Sequence, residues 1–251
     1  MTVRAHRSDR AKSLPHDDVH VWRFSLDVPA EGFAAVLSAE ERARRGRLAD
    51  AAHRDRFTVA HGVKREILGR CLSLPPRRVP LVTGRWGKPR VAGDAVAFSL
   101  SHSAGAAMLA VCRNRDVGVD IERLRPGLDP QAFSARYFRP EESRQVASAA
   151  PAQRWACFLA LWTRKEACVK AAGARLGQAL SLSVGRGACH VSAPADPTSV
   201  QWSVDDIPVR RGWAGAVALV GSAPFHVIAH TWEADQRQGA EAVTEARTSF
   251  R

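Results

Sequence analysis

The chain has 251 residues, 45% of them hydrophobic and 25% charged, an ordinary globular make-up with enough length for a core in one domain or two small ones. No apolar run approaches the roughly 18 residues of a membrane span, and the basic first residues lack the apolar stretch of a secretory leader, so the default compartment is the cytoplasm. A net charge of +12 implies acidic partners, yet no helix-turn-helix, RNP or zinc-finger pattern singles out nucleic acid among them.

Residues 1–18 read as a flexible tail, and 19–26, VHVWRFSL, alternates like a strand. Ser38 followed by Glu40 and Glu41 marks a helix start, a capping serine with acids at the positive end of the dipole. Helical sequence continues to about residue 74, with a break near 46–50, until Pro75 and Pro76 end it. The glycine-rich stretch around Gly87, Lys88 and Pro89 reads as an exposed turn. Residues 96–100 form a strand that ends in Ser101, His102 and Ser103, and 106–113 form the next. Neighbouring residues on an extended chain face opposite ways, so Ser101 and His102 do not make a nucleophile and base. No GxSxG elbow is present either.

After a turn at 114–116 comes VGVDIE, residues 117–122, whose period of two puts Asp120 and Glu122 on one face. Paired carboxylates repel unless something positive lies between them. A hard cation such as Mg²⁺ resolves this, and so does an edge strand with a solvated acidic face. A short helix over 133–142 leads into a second that begins at Pro140. The run 152–172 then has helical apolar spacing and is ended by Gly173. On that helix Glu166 and Lys170 are one turn apart, either a surface ion pair or the third acid and the cation of a magnesium-pyrophosphate site. Cys157 and Cys168 lie in the same run. With Cys71, Cys112 and Cys189 they form neither a disulfide framework nor a CxxC metal site. The remainder reads as strands at 180–184, 200–204, 215–220 and 225–232, followed by a flexible tail over 233–251.

The order strand, helices, strands occurs twice. It predicts an α+β fold of two similar halves, 19–116 and 117–232, with a site in the crevice between them.

Taken in order, GKP, FSLSHS, VGVDIE, RYFRPEE and LWTRKEACVKA resemble the 4′-phosphopantetheinyl transferases of the two-domain, Sfp-like type over roughly 38–172. The resemblance implies a pseudo-twofold monomer that transfers the phosphopantetheine arm of coenzyme A to a serine of an apo acyl or peptidyl carrier protein. It further implies Asp120, Glu122 and Glu166 as Mg²⁺ ligands. Lys170 would hold the pyrophosphate and steady the charge leaving on 3′,5′-ADP, and these four residues form the implied catalytic set. Ser101 and His102 match the pair that meets the phosphates of CoA, Lys88 matches the GKP lysine, and Arg44 and Arg56 match cofactor phosphate contacts. Glu142 closes an RxFxxxE motif. Glu41 and His61 depart from the pattern, standing where many relatives carry basic residues.

The residue types suit that chemistry, since phosphoryl transfer depends on positioning and charge neutralisation. The base for the carrier serine stays open between Glu166 and a metal-bound water relayed by Glu122. Acidic carrier proteins fit the basic surface. Two other classes stand beside this reading: a Mg²⁺-dependent nucleotide hydrolase, and a non-enzymatic basic protein that binds nucleic acid.

Overall fold

A computed structural model describes residues 4–5, 18–125, 127–174, 177, 180, 182–185, 189–192 and 200–233. The alternating segment at the start is a strand, Asp18–Ser25 (β2). Val19 and Val21 are buried on one of its faces, and Trp22 and Phe24 turn to the other. It lies within a five-stranded sheet whose order is Arg4–Ala5 (β1), His226–Thr231 (β11), β2, Ala106–Cys112 (β6) and Ala97–Ser103 (β5). A second sheet is ordered Val117–Arg123 (β7), Trp213–Val220 (β10), Gln201–Asp206 (β9) and Cys189–Ser192 (β8). Leu81–Thr83 (β3) and Pro89–Val91 (β4) form a small hairpin apart from both.

Helices cover the outer faces. Glu31–Ala34 (α1) and Ala39–Gly46 (α2) precede Ala51–Leu72 (α3), while Pro130–Tyr137 (α4) and Pro140–Ser148 (α5) precede Pro151–Ala172 (α6). Val59, Val63 and Ile67 of α3 share a core with Phe24, Phe98 and Leu109 of the first sheet. Phe158, Leu161 and Cys168 of α6 share another with Trp202, Ala216 and Ala218 of the second. Between the sheets, Val19, Val21, Met108 and Ala110 meet Val117, Val119, Ile121 and Val217. The layers are therefore helix, sheet, sheet, helix. Each such aliphatic side chain removed from water contributes about 1.5–3 kcal/mol.

The helix boundaries follow the expected signals. Ser38 accepts from the Glu41 amide and Glu41 answers from its side chain, a capping box. Asp50 caps α3, and Ser73 and Gly173 end the two long helices in the left-handed conformation. Glu41 is buried and receives Lys64 at 2.8 Å, Arg65 at 2.5 Å and His61 at 3.1 Å. Burial alone would raise its pKa, but the His61 hydrogen bond and the Lys64 ammonium hold it well below the usual carboxylate range. The two departures from the family pattern, Glu41 and His61, are thus parts of one buried cluster.

Several expectations need correction. The strand read at 225–232 does not stay with the second half: β11 pairs in parallel with β2 and belongs to the first sheet. Within the presumed tail 1–18, Arg4 and Ala5 pair with Ile228 and Ala229, and Asp18 opens β2. No strand forms over 182–184; Leu182 and Val184 serve instead as buried packing for α6, and residue 181 lies outside the described residues. β8 was not legible. The presumed tail 233–251 lies outside the described residues beyond Glu233.

The junction of β11 with β2 carries a stacked trio, His20, Trp22 and His230, in which the two imidazoles hydrogen-bond at 2.8 Å. Burial, reinforced by His230, pushes the His20 pKa from 6.5 down to about 4. Between those values the unfolded chain takes a proton that the folded chain refuses, so this residue's contribution to stability is complete above pH 6.5 and declines as pH falls toward 4. Thermal unfolding of wild type and His20→Gln across this window should show wild type losing stability more steeply. Parallel curves would contradict the assignment.

Candidate active site between the two sheets

The sequence AFSLSHS of β5 has two faces. Phe98 and Leu100 point into the α3 core, while Ser99, Ser101 and Ser103 point at the edge of β7 and join the two sheets. Ser99 Oγ accepts from the Val119 amide at 3.1 Å. Ser101 Oγ donates to Asp120 Oδ1 at 2.7 Å, and Ser103 Oγ donates to Glu122 Oε2 at 2.7 Å. The Ser103 hydroxyl also accepts from the Arg123 amide at 3.2 Å. Each expected acid of β7 is thereby oriented by a serine of β5, and His102 projects away from them as its alternation requires.

α6 completes the cluster. Gly118 lies directly under it: a Cβ there would come 2.0 Å from the Ala167 carbonyl oxygen, so only glycine permits this approach. Lys170 Nζ donates to Asp120 Oδ1 at 2.6 Å and to Ser101 Oγ at 2.9 Å. Asp120 is 2% exposed, and its second oxygen, Oδ2, has no hydrogen-bond partner among the described residues. Glu166 is half-buried one turn before Lys170. Burial first, then the negative charge of Asp120, pushes its pKa up to about 7, with Lys170 opposing and Glu122 adding to the rise.

Among the described residues the acids do not close into a ready-made group of three metal ligands. Two of them are paired with cations instead: Lys170 holds Asp120, and Arg125 holds Glu122 at 3.2 Å. The donor set nevertheless suits a hard divalent cation. Asp120 and Glu122 add to the effect of burial in raising the Glu166 pKa, and among the described residues a buried oxygen of Asp120 lacks a donor.

The other expected residues divide. His102 lies within electrostatic range of Lys170, Glu122, Arg44 and Asp120. Partial burial, then Lys170, lowers its pKa, with Glu122 and Asp120 opposing and Arg44 adding to the fall. Arg44 lies over the Phe57 ring at 5.7 Å. Arg56 does not join the cluster as a free cation, because its Nε is paired with Asp27 at 2.8 Å. Lys88 does not join it either. Its ammonium donates to the Ala171 carbonyl at 2.7 Å and the Val117 carbonyl at 3.3 Å, with Asp116 at 3.5 Å. It clamps the end of α6 to the start of β7, so the GKP segment is no free turn: Pro89 opens β4.

Glu142 stands away from the acids, behind α6. Its carboxylate accepts from the Arg139 and Val184 amides and from Lys165 Nζ at 2.7 Å. Lys165 is fully buried, reaches the Leu182 carbonyl and lies over the Phe138 ring at 5.1 Å. Arg164 beside it forms a fork with Asp206 at 2.7 and 2.5 Å. The sequence reading missed both of these basic residues. For Lys165 a signal existed: 161, 165 and 168 are spaced as one buried stripe, so a lysine at its centre required a buried partner.

Comparison with known proteins identifies the family of the chain. The family model of the 4′-phosphopantetheinyl transferase superfamily matches residues 116–217, which hold Asp120, Glu122, Glu166 and Lys170. A 4′-phosphopantetheinyl transferase, HetI, from Nostoc sp. is 34% identical over 220 residues, covering 83% of this chain and 90% of its own. The 4′-phosphopantetheinyl transferase AcpT of Salmonella typhimurium is 36% identical over 119 residues, 47% of this chain and 60% of its own. A 4′-phosphopantetheinyl transferase of Bacillus subtilis is 29% identical over 140 residues, 55% of this chain and 61% of its own.

The Glu142–Lys165 pair predicts a stability cycle. Lys165→Met strands a buried carboxylate and should cost about 3–5 kcal/mol in chemical denaturation. Glu142→Gln/Lys165→Met should recover most of that loss, because neither charge then stays unpaired. A single variant as stable as wild type, or a double variant no better than the single, would contradict the pairing.

Proposed function

The chain belongs to the 4′-phosphopantetheinyl transferase superfamily, and from that premise we propose that it transfers the 4′-phosphopantetheine arm of coenzyme A to a serine of an apo acyl or peptidyl carrier protein, releasing 3′,5′-ADP. The observation that carries the reading is the cluster at the sheet seam: Asp120 bound by Lys170 and Ser101, with Glu122 and Glu166 beside it. In this reading the carriers are those of polyketide, non-ribosomal peptide or fatty acid synthesis, and the enzyme works as a cytoplasmic monomer. No described helix is long and apolar enough to cross a membrane.

Asp120, Glu122 and Glu166 would hold Mg²⁺, which supplies charge neutralisation at the CoA pyrophosphate. The other roles fall to the chain itself. Lys170 leaves Asp120 for the pyrophosphate and balances the charge developing on 3′,5′-ADP. Ser101 keeps Asp120 oriented while Lys170 moves. His102 and Arg44 receive the remaining phosphate charge from the opposite face of β5. Lys88 and Arg56 act as supports, one for the α6–β7 contact and the other for Asp27. The acceptor serine oxygen attacks the β-phosphorus, and its bond to the 3′,5′-ADP oxygen breaks. The serine proton passes to a site carboxylate, Glu166 or Glu122.

Intact-mass measurement of a purified apo carrier protein, incubated with this protein, CoA and Mg²⁺, should show a gain of one phosphopantetheine. EDTA, Asp120→Ala or Glu166→Ala should each abolish the gain while circular dichroism shows a folded protein. Release of hydrolysed nucleotide with no mass gain would favour the hydrolase class instead. A wild-type rate in either variant would overturn the residue assignment.

Lys170→Ala should lower kcat about 100-fold, the scale of losing one charge-stabilising donor, with a much smaller change in the affinity for CoA. A loss confined to affinity would remove its role in the transition state.

A further inference from the structure

Where the seam between the sheets ends, next to Glu122, it opens into a groove of about 760 Å³. One wall is the β5–β6 turn, Ser103 and Ala104. The other is built from the exit of β7, Arg123 to Arg125, and the β9–β10 turn, Arg210 to Trp213. The second wall is fixed in place. The Leu124 amide donates to the Gly212 carbonyl at 3.0 Å, the Trp213 amide donates to the Arg210 carbonyl at 3.2 Å, and Arg23 reaches the Pro208 carbonyl at 2.8 Å. Trp213 lies opposite Arg123 in the sheet register, and the Arg210 guanidinium sits over its ring at 4.8 Å.

The chemistry of the lining is one-sided. Arg123, Arg210 and Arg211 form no ion pair with a described carboxylate. Among the described residues Arg125 pairs only with Glu122, and it remains 72% exposed. Leu124 is 37% exposed, a large apolar side chain among these cations. An apolar centre framed by arginines, held rigid before any partner arrives, is how protein docking surfaces are built. Ser103 belongs both to the groove and to the site, because its hydroxyl donates to Glu122 Oε2 at 2.7 Å.

We propose that this groove is the docking surface for the carrier protein. Acidic side chains around the acceptor serine pair with Arg123, Arg210 and Arg211, and apolar contact falls on Leu124 and Trp213. This inference rests on the transferase reading. In the transferase reading the phosphates of CoA have their own partners, the cations Lys170 and Arg44 and the imidazole of His102, so the groove stays open to the second substrate while the first is bound. A carrier held there presents its serine alongside Glu122.

Steady-state kinetics with an apo carrier protein test the assignment. Arg210→Glu/Arg211→Glu should raise KM for the carrier at least about tenfold with the effect on kcat within about twofold, since rim charges act mainly on encounter. The charge-neutralising pair Arg210→Gln/Arg211→Gln should show a smaller rise in the same direction and covers any folding defect of the reversal. The wild-type KM should climb with salt, more steeply than that of either variant. Binding of 3′,5′-ADP should be unchanged. The control Arg77→Glu/Arg78→Glu, an equal charge change on an exposed turn elsewhere, should move KM less than twofold.

An equal loss in the control makes the effect one of net charge and overturns the site. Weakened 3′,5′-ADP binding gives the groove to the nucleotide, and an unchanged KM alongside lost binding of single-stranded DNA gives it to nucleic acid. Either outcome overturns the proposal. Wild-type transfer with unchanged KM in both variants removes the docking surface alone, whereas no transfer by wild type removes the transferase reading as well.

Discussion

The site depends on the contact between two strand edges that belong to different sheets. β5 closes one sheet and β7 closes the other, and bare strand edges of this kind are liabilities unless covered. Here they cover each other. Three serines on β5 meet two backbone amides and two carboxylates on β7, so most polar groups there find partners where the apolar packing between the sheets ends. The same contact aims Asp120 and Glu122 toward α6. Without the serines these acids would lie on a buried seam with only Lys170 and Arg125 to balance them.

Buried charge recurs behind both long helices in the same form. Glu41 is the third residue of α2 and Glu142 the third of α5. Each accepts the amide that precedes its own helix, and each holds a buried lysine of the following long helix, Lys64 or Lys165. Such pairs contribute little net energy against hydrophobic replacements, but breaking one is expensive. They therefore fix where a short helix sits on a long one. For α6 the consequence is direct: Lys165 points into the core on the side opposite the seam, which leaves its neighbour Glu166 at the site.

Local signals in the sequence were read well. The alternation of 117–122, the capping serine at 38, the break before Ala51 and the glycine after Ala172 each rest on short-range chemistry, and each appears where it was read. The pairing of Asp120 with Glu122 and of Glu166 with Lys170 was legible because period two on a strand and one turn on a helix are themselves geometric statements, whereas only the family resemblance implied that the two pairs meet. Readings that depended on distant partners fared less well. Nothing near Lys88 announces that its ammonium will meet carbonyls at Val117 and Ala171, and nothing near Arg56 announces Asp27. The membership of β11 was illegible for the same reason. Its alternation identifies a strand, but only the complete sheet decides which neighbours it pairs with.

That membership makes the fold topologically closed. The first sheet opens with β1 and β2 and receives β11 between them, so the entire second sheet with α6 is an excursion made between two hydrogen-bonded neighbours. A chain cut between Asp116 and Val117 would not release two autonomous modules. The earlier fragment would lose an interior strand and expose β2, and the later one would carry a strand with no sheet of its own to enter. The seam holding the carboxylate cluster is thus enclosed by the chain's own path, and the two halves stand or unfold together.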